Sequence, residues 1–166
     1  MVPTLKGTQE IRFAADRMLG RLAKMLRLLG YDTLYSAQFT AEQLRVIARQ
    51  ADRFILTRGA VTKRFPVLAI VYRVESEYPV EQLREVVTGF SLDTKSGLWT
   101  RCTLCNGPIV LVDKGAAEKS VKPRVFELYE EFFRCSGCGH IYWRGSHTKR
   151  VLENLDAILG QGSLEP

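Results

Sequence analysis

The stretch "IRFAADRMLGRLAKMLRLLGYDTLY", residues 11–35, decides the fold. Residues 11–15 read as a strand, and residues 17–30 read as an amphipathic helix. At about 100° per residue, Met18, Leu19, Leu22, Met25, Leu26 and Leu29 fall in one stripe, with Arg17, Arg21, Lys24 and Arg27 opposite. Gly30 sits where a helix C-terminal cap is expected. "DTLYSA" (32–37) then reads as a second strand. A strand, a helix and a strand in succession argue for parallel pairing.

Working outward, "TAEQLRVIARQA" (40–51) is predicted as a second helix, with Thr40 and Gln43 spaced as a capping box. "RFILTR" (53–58) is a third strand, followed by a helical turn near 60–65 that ends before Pro66. "VLAIVYRV" (67–74) is a fourth strand, and Pro79 opens a helix through residues 80–90. Apolar strands alternating with helices predict an α/β fold, a parallel sheet flanked by helices. The first ten residues read as a flexible arm, "SLDTKSG" (91–97) has linker composition, and 151–166 is taken as a C-terminal helix and tail. The expected division is an α/β domain over 11–98 and a small cysteine module over 99–150.

The chain has 24 basic and 18 acidic residues, a net charge of +6. Residues 1–98 hold 15 basic and 10 acidic side chains, and residues 99–166 hold 9 and 8. The excess therefore sits in the front part, where a polyanion footprint is expected. The longest apolar runs are too short to span a bilayer and no leader pattern opens the chain, so a soluble, cytoplasmic protein without a membrane partner is expected.

"RCTLCNG" (101–107) and "RCSGCGH" (134–140) are two Cys-x-x-Cys turns, 29 residues apart. Each can set two thiolates on one side of a tight turn, helped by Asn106 or Gly139 after the second cysteine. Facing each other, Cys102, Cys105, Cys135 and Cys138 would make a closed tetrahedral site for structural Zn²⁺. Two disulfides are the alternative, disfavoured because nothing suggests secretion. The interval exceeds the usual ribbon spacing of roughly 15–20 residues, so the chain between the turns must make an excursion. Beyond it, "IYWRGSH" (141–147) sets aromatics beside cations. Trp143, Arg144 and His147 suit a nucleic-acid strand, although Trp143 serves equally as ribbon core, the role expected of Tyr142.

Ligands of open parallel sheets lie beyond the carboxyl ends of the strands. Asp16 follows the first strand, Thr57-Arg58-Gly59 follow the third, and Glu42 opens the second helix. Asp16 and Glu42 with water could hold one hard cation, Mg²⁺ or Mn²⁺. Asp16 is equally a helix N-cap and Glu42 a helix-dipole partner. Asp32 and Asp52 are expected in surface turns at the opposite strand ends. The row Arg17, Arg21, Lys24 and Arg27 is uniformly cationic, with Gly20 permitting close approach. It is expected to contact phosphates, with Arg58, Lys63 and Arg64 extending it.

"DRMLGRLAKMLRLLGYDTLY", "FILTR", "EQLREVVTGF", "RCTLCNGPI" and "FFRCSGCGHIYWRGSH", in this order, resemble the Mut-seven C-terminal RNase domain family, over about residues 11–150. The resemblance implies a PIN-like fold with a zinc ribbon, acting in RNA processing as a metal-dependent ribonuclease or an RNA-binding domain. Carried over by position, the family's acids fall on Asp16 and Glu42. The family reads Leu-Thr-Arg-Asp where this chain has Gly59, and its acidic stretch before the second helix is here "SAQFTA". The expected function is RNA binding with a degenerate acidic site, the RNA being single-stranded or tRNA-like. An active ribonuclease and a protein-interaction adaptor are the alternatives.

Overall fold

Residues 11–35 fold as a strand, a helix and a second, parallel strand in the computed structural model, which describes residues 11–59, 70–145 and 160. The arm, the turn at 60–65 with Lys63 and Arg64, residues 67–69 of the fourth strand, His147, and the C-terminal helix and tail apart from Gly160 lie outside the described residues. The chain divides into two compact units, Met1–Asn106 and Gly107–Pro166.

In the first unit, β1 (Phe13–Ala15) leads through a 3-10 turn (Arg17–Leu19) into α1 (Gly20–Leu28) and β2 (Thr33–Tyr35). Then come α2 (Ala41–Ala51), β3 (Phe54–Thr57), β4 (Val71–Arg73) and α3 (Pro79–Phe90). The sheet runs β2-β1-β3-β4, parallel throughout. Alternation sorts its two faces. Ala14 and Ile55 meet Leu44 and Ala48 of α2. Phe13 and Phe54, one residue earlier, point the other way and meet Phe90 of α3 edge-on at 5.2 and 4.9 Å.

Local chemistry sets the helix ends as expected. Thr40 and Gln43 exchange both bonds of a capping box. Gly30 has φ +94°, with Gly30 N–H bonded to Arg27 O and Tyr31 N–H to Leu26 O, both at 2.9 Å. That pair of bonds is a Schellman ending, which needs the left-handed residue. Met18 departs from the expected apolar stripe and is exposed, because residues 17–19 form a 3-10 turn ahead of α1.

At the amino ends of the strands, Asp32 was expected in a surface turn. Its carboxylate is instead gripped by both terminal nitrogens of the buried Arg53, at 2.7 and 2.9 Å, and by Asn106 Nδ2 at 2.7 Å. The Arg53 guanidinium also donates to Phe13 O and Asp32 O, joining the starts of β1, β2 and β3. Burial pushes the Asp32 carboxyl up, but hydrogen bonds from Arg53 and Asn106 and the charges of Arg53 and Arg101 outweigh it, and the net shift is down. Asp52 is exposed as expected, at the C-terminus of α2 with φ 48°.

The second unit holds β5 (Ile109–Val112), α4 (Lys114–Ala117), α5 (Pro123–Leu128), β6 (Phe132–Cys135) and β7 (Ile141–Trp143). Its strands form an antiparallel sheet, β5-β6-β7. Ala117, Phe132 and Ile141 are its core, with Val125, Phe126, Tyr129 and Trp143 packed around them. The excursion between the cysteine turns thus supplies both helices that cover this small sheet.

Asp32→Asn is expected to cost about 3 kcal/mol near neutral pH, because it leaves the Arg53 charge buried without its counter-ion; urea unfolding reads this. The folded carboxyl titrates below its ordinary value, so its contribution is whole above the unfolded pKa and is lost as pH falls through the lower folded one. The stability gap between wild type and variant should narrow on acidification below the ordinary carboxylate range.

Candidate nucleic-acid interface and metal centre

The strand order reverses at β1: its chain leaves toward β2 on one side, and the next strand returns as β3 on the other. The exits of β1 and β3 therefore lie side by side, where open α/β sheets bind ligands. Asp16 N–H bonds Leu56 O at 2.9 Å, continuing the pairing past the end of β1. Thr57 Oγ1 donates to Asp16 Oδ2 at 2.8 Å and accepts from Gly59 N–H at 3.0 Å. Asp16 and Thr57 are both buried. Asp16 occupies the N-cap position of the 3-10 turn, but its side chain makes no capping bond. Thr57 across the strands holds one oxygen of its carboxylate, Oδ2.

Beside these exits is a cavity of about 390 Å³. Arg17, Arg21, Lys24 and Arg58 line it, with Glu77, Tyr35, Gln82 and Met18, and with Gly20 and Pro79 from the first residues of α1 and α3. Arg58 pairs with Glu77 at 2.8 Å. Among the described residues no carboxylate forms an ion pair with Arg17, Arg21 or Lys24. Tyr35 hydroxyl donates to Arg17 O at 3.1 Å. A Cβ on Gly20 would stand 2.6 Å from that hydroxyl, so the missing side chain lets the ring wall the cavity. The close approach expected at Gly20 is thus made by Tyr35. Neither α1 nor α3 has a side-chain N-cap bond, and such amino ends carry partial positive charge.

Arg27 is a correction to the expected cationic row. It is buried and donates from Nε to Thr33 O at 2.8 Å and from one terminal nitrogen to Thr103 O and Leu104 O at 3.1 and 2.9 Å. The segment 97–106 covers the last turn of α1, with Trp99 N–H on Leu28 O and Arg101 Nε on Gly30 O. Helical phase alone cannot foresee that cover. Glu42 is exposed and pairs with Arg45; it is not among the cavity residues. Glu77 was missed, although it follows β4 at the same sheet end as Asp16 and Arg58.

The four cysteine Sγ atoms lie within 4.8 Å of one another. No disulfide joins them. A tetrahedral zinc with bonds of about 2.3 Å would set sulfurs about 3.8 Å apart, so the donors suit a closed structural site. Backbone N–H groups point at sulfur in both turns: Cys105 to Cys102, and Gly137 and Cys138 to Cys135. Asn106 and Gly139, each following a second cysteine, both have positive φ, 71° and 75°. Asn106 also receives Thr33 N–H on its side-chain oxygen at 3.0 Å. Its buried amide and Arg27 thereby anchor the first turn to the start of β2.

Asp16 is buried against Thr57 and Glu42 is paired with Arg45. Among the described residues the four cysteines are the one group of three or more metal-capable side chains.

On β7, Ile141 and Trp143 share a face by alternation, and Trp143 packs on the unit's core beside Tyr129. Tyr142 takes the other face and meets His140 edge-on at 4.8 Å. The core role expected of Tyr142 is filled by Trp143. Arg144 is exposed, over the Phe133 ring and 4.0 Å from Glu131.

Residues 11–155 match the Mut7-C RNAse domain family. The chain belongs to that family. Membership carries an RNA-related, ribonuclease-like function, and the parallel sheet, the strand exits at Asp16 and Thr57, and the cysteine centre all fall inside the matched Mut7-C RNAse region. No curated protein and no solved structure matches the chain. Among the described residues no helix is long and apolar enough to cross a membrane.

Arg27→Met should keep α1 apolar on that face while removing three donated bonds. It is expected to speed metal loss to a chelator several-fold, followed by metal-release absorbance, and to lower the melting temperature. Gly20→Ala should displace Tyr35 and weaken RNA binding with a melting temperature changed by no more than a few degrees.

Proposed function

We propose that this Mut7-C RNAse domain protein grips RNA through the cavity at the β1 and β3 exits, with ribonuclease chemistry weak or lost. The observation that carries the reading is that Arg17, Arg21, Lys24 and Arg58 line one cavity. Three of them lack a carboxylate partner among the described residues. Phosphate is the group of RNA that such a cavity attracts, and its grip is electrostatic and salt-dependent. Gly59 at the position of a family aspartate, and the burial of Asp16, support a diminished catalytic role. Asp16 then serves the fold by receiving Thr57, and Glu42 serves α2.

Zinc is the proposed occupant of the cysteine centre, held by Cys102, Cys105, Cys135 and Cys138. Its role is structural, because four thiolates leave no open coordination position. Arg144 remains a proposed RNA contact, whereas Trp143 is assigned to packing. An adaptor role for the ribbon predicts RNA binding with little salt dependence, so the salt series decides against one of the two.

Arg21→Gln with Lys24→Gln is expected to weaken single-stranded RNA binding by ten-fold or more across sequences. The slope of log affinity against log salt should flatten by about 1.4, at about 0.7 for each phosphate no longer neutralised. Unchanged affinity and slope would remove the cavity from the reading. Cleavage should stay at background with added Mn²⁺ in the wild type. If only one carboxylate is lacking, Gly59→Asp should give metal-dependent cleavage that Asp16→Asn abolishes. Wild-type cleavage that disappears on Asp16→Asn would instead favour the active enzyme.

A further inference from the structure

A strand running through a protein usually follows a groove, with phosphates met in series and bases stacked on successive aromatic rings. The cavity at the strand exits has another character. It is a half-open recess of about 390 Å³. Tyr35 is the one aromatic residue among those lining it. The space suits one terminal group more than a run of nucleotides.

Charge narrows the group further. Among the described residues, Arg17, Arg21, Lys24 and Arg58 face it together with one carboxylate, that of Glu77. Arg58 and Glu77 hold each other at 2.8 Å, which leaves three positive charges. The amino ends of α1 and α3, at Gly20 and Pro79, open on the same space without side-chain caps. An internal phosphodiester brings one negative charge. A phosphate monoester brings about −1.5 to −2 at neutral pH and three acceptor oxygens, with a second pKa near 6. The monoester matches both the small size of the recess and the surplus of charge.

On the RNA-binding reading above, we propose that the cavity bounded by Arg17, Arg21, Lys24 and Arg58 takes the terminal phosphate monoester of an RNA strand. Arg58, oriented by Glu77, and Arg21 are suited to donate pairs of bonds to its oxygens. Lys24 contributes a mobile point charge. Tyr35, fixed through Arg17 O, offers a ring to the terminal nucleotide.

The test uses the full chain with its metal and one internally labelled single-stranded RNA in three forms: 5′-phosphate, 3′-phosphate, and hydroxyl at both ends. Affinity is measured by anisotropy at fixed salt. One phosphorylated form should bind about five- to ten-fold tighter than the hydroxyl form, and which one identifies the end. The preference should shrink below about pH 6, as the monoester takes up its second proton. Arg21→Gln and, separately, Lys24→Gln should reduce it, with circular dichroism and melting temperature unchanged. Equal, salt-dependent affinity for all three forms would leave RNA binding in place and overturn the terminal-phosphate assignment. No binding of any form would overturn both.

Discussion

The side-by-side pairing of β1 and β3 is the constraint from which the site follows. Because the order reverses there, the chain leaves β1 toward α1 and leaves β3 toward Arg58 from adjacent points. The bonds from Asp16 N–H to Leu56 O and from Thr57 to the Asp16 carboxylate lock those exits together. A buried carboxylate is tolerable only with such partners. Once the exits are locked, the arginines that follow, Arg17 and Arg58, must share one cavity, and α1 carries Arg21 and Lys24 to it. The cationic site is thus a consequence of topology, built from residues 41 positions apart in sequence at its Asp16–Thr57 hinge.

The opposite strand ends do different work with the same residue types. Asp32, Arg53 and Asn106 form a mostly buried polar knot, and Arg27 lies beside it, donating to the backbone oxygens of Thr33, Thr103 and Leu104. Arginine suits this role because its planar fork satisfies several acceptors at once. Leaving one partner of such a knot unsatisfied costs more than the knot contributes net. The arginines of the 3-10 turn and α1 are therefore divided by depth: Arg17 and Arg21 stay in solvent and meet the cavity, whereas Arg27 is structural.

Features set by neighbouring residues were legible in the sequence. The α/β alternation, the Gly30 ending, the Thr40–Gln43 box and the two cysteine turns each depend on a few adjacent positions. That Arg17, Arg21, Lys24 and Arg58 lie near one another was legible because strand exits can be read from hydrophobic runs. Features set by distant cover were not. Arg27 looked exposed because nothing local reveals the segment 97–106 lying over it, and Asp32 looked like a turn residue because Arg53 and Asn106 reach it from elsewhere. Met18 was misplaced by carrying helical phase through a 3-10 turn. Tyr142, expected in the core, takes the other face of β7, whereas Trp143, open to either role, packs on the core, as strand alternation dictates. Glu77 follows β4 by four residues, beyond the exits of β1 and β3 from which the cationic group is legible.

Electrostatics links the two proposed properties of the site. A divalent cation needs clustered carboxylates, and the same carboxylates would neutralise the arginines and lysine that draw phosphate. On the resemblance that puts a family aspartate at position 59, Gly59 removes a negative charge next to Arg58. The backbone N–H of residue 59 bonds Thr57 Oγ1, which in turn donates to Asp16 Oδ2. Each carboxylate removed weakens metal binding and strengthens phosphate binding through one change in local potential. Glu77, the acid that remains among the cavity residues, is mostly exposed and tied to Arg58, where it orients a phosphate ligand while cancelling only part of the field. A grip that tightens as catalysis fades therefore requires no new binding surface, only the subtraction of acids from one that topology had already assembled.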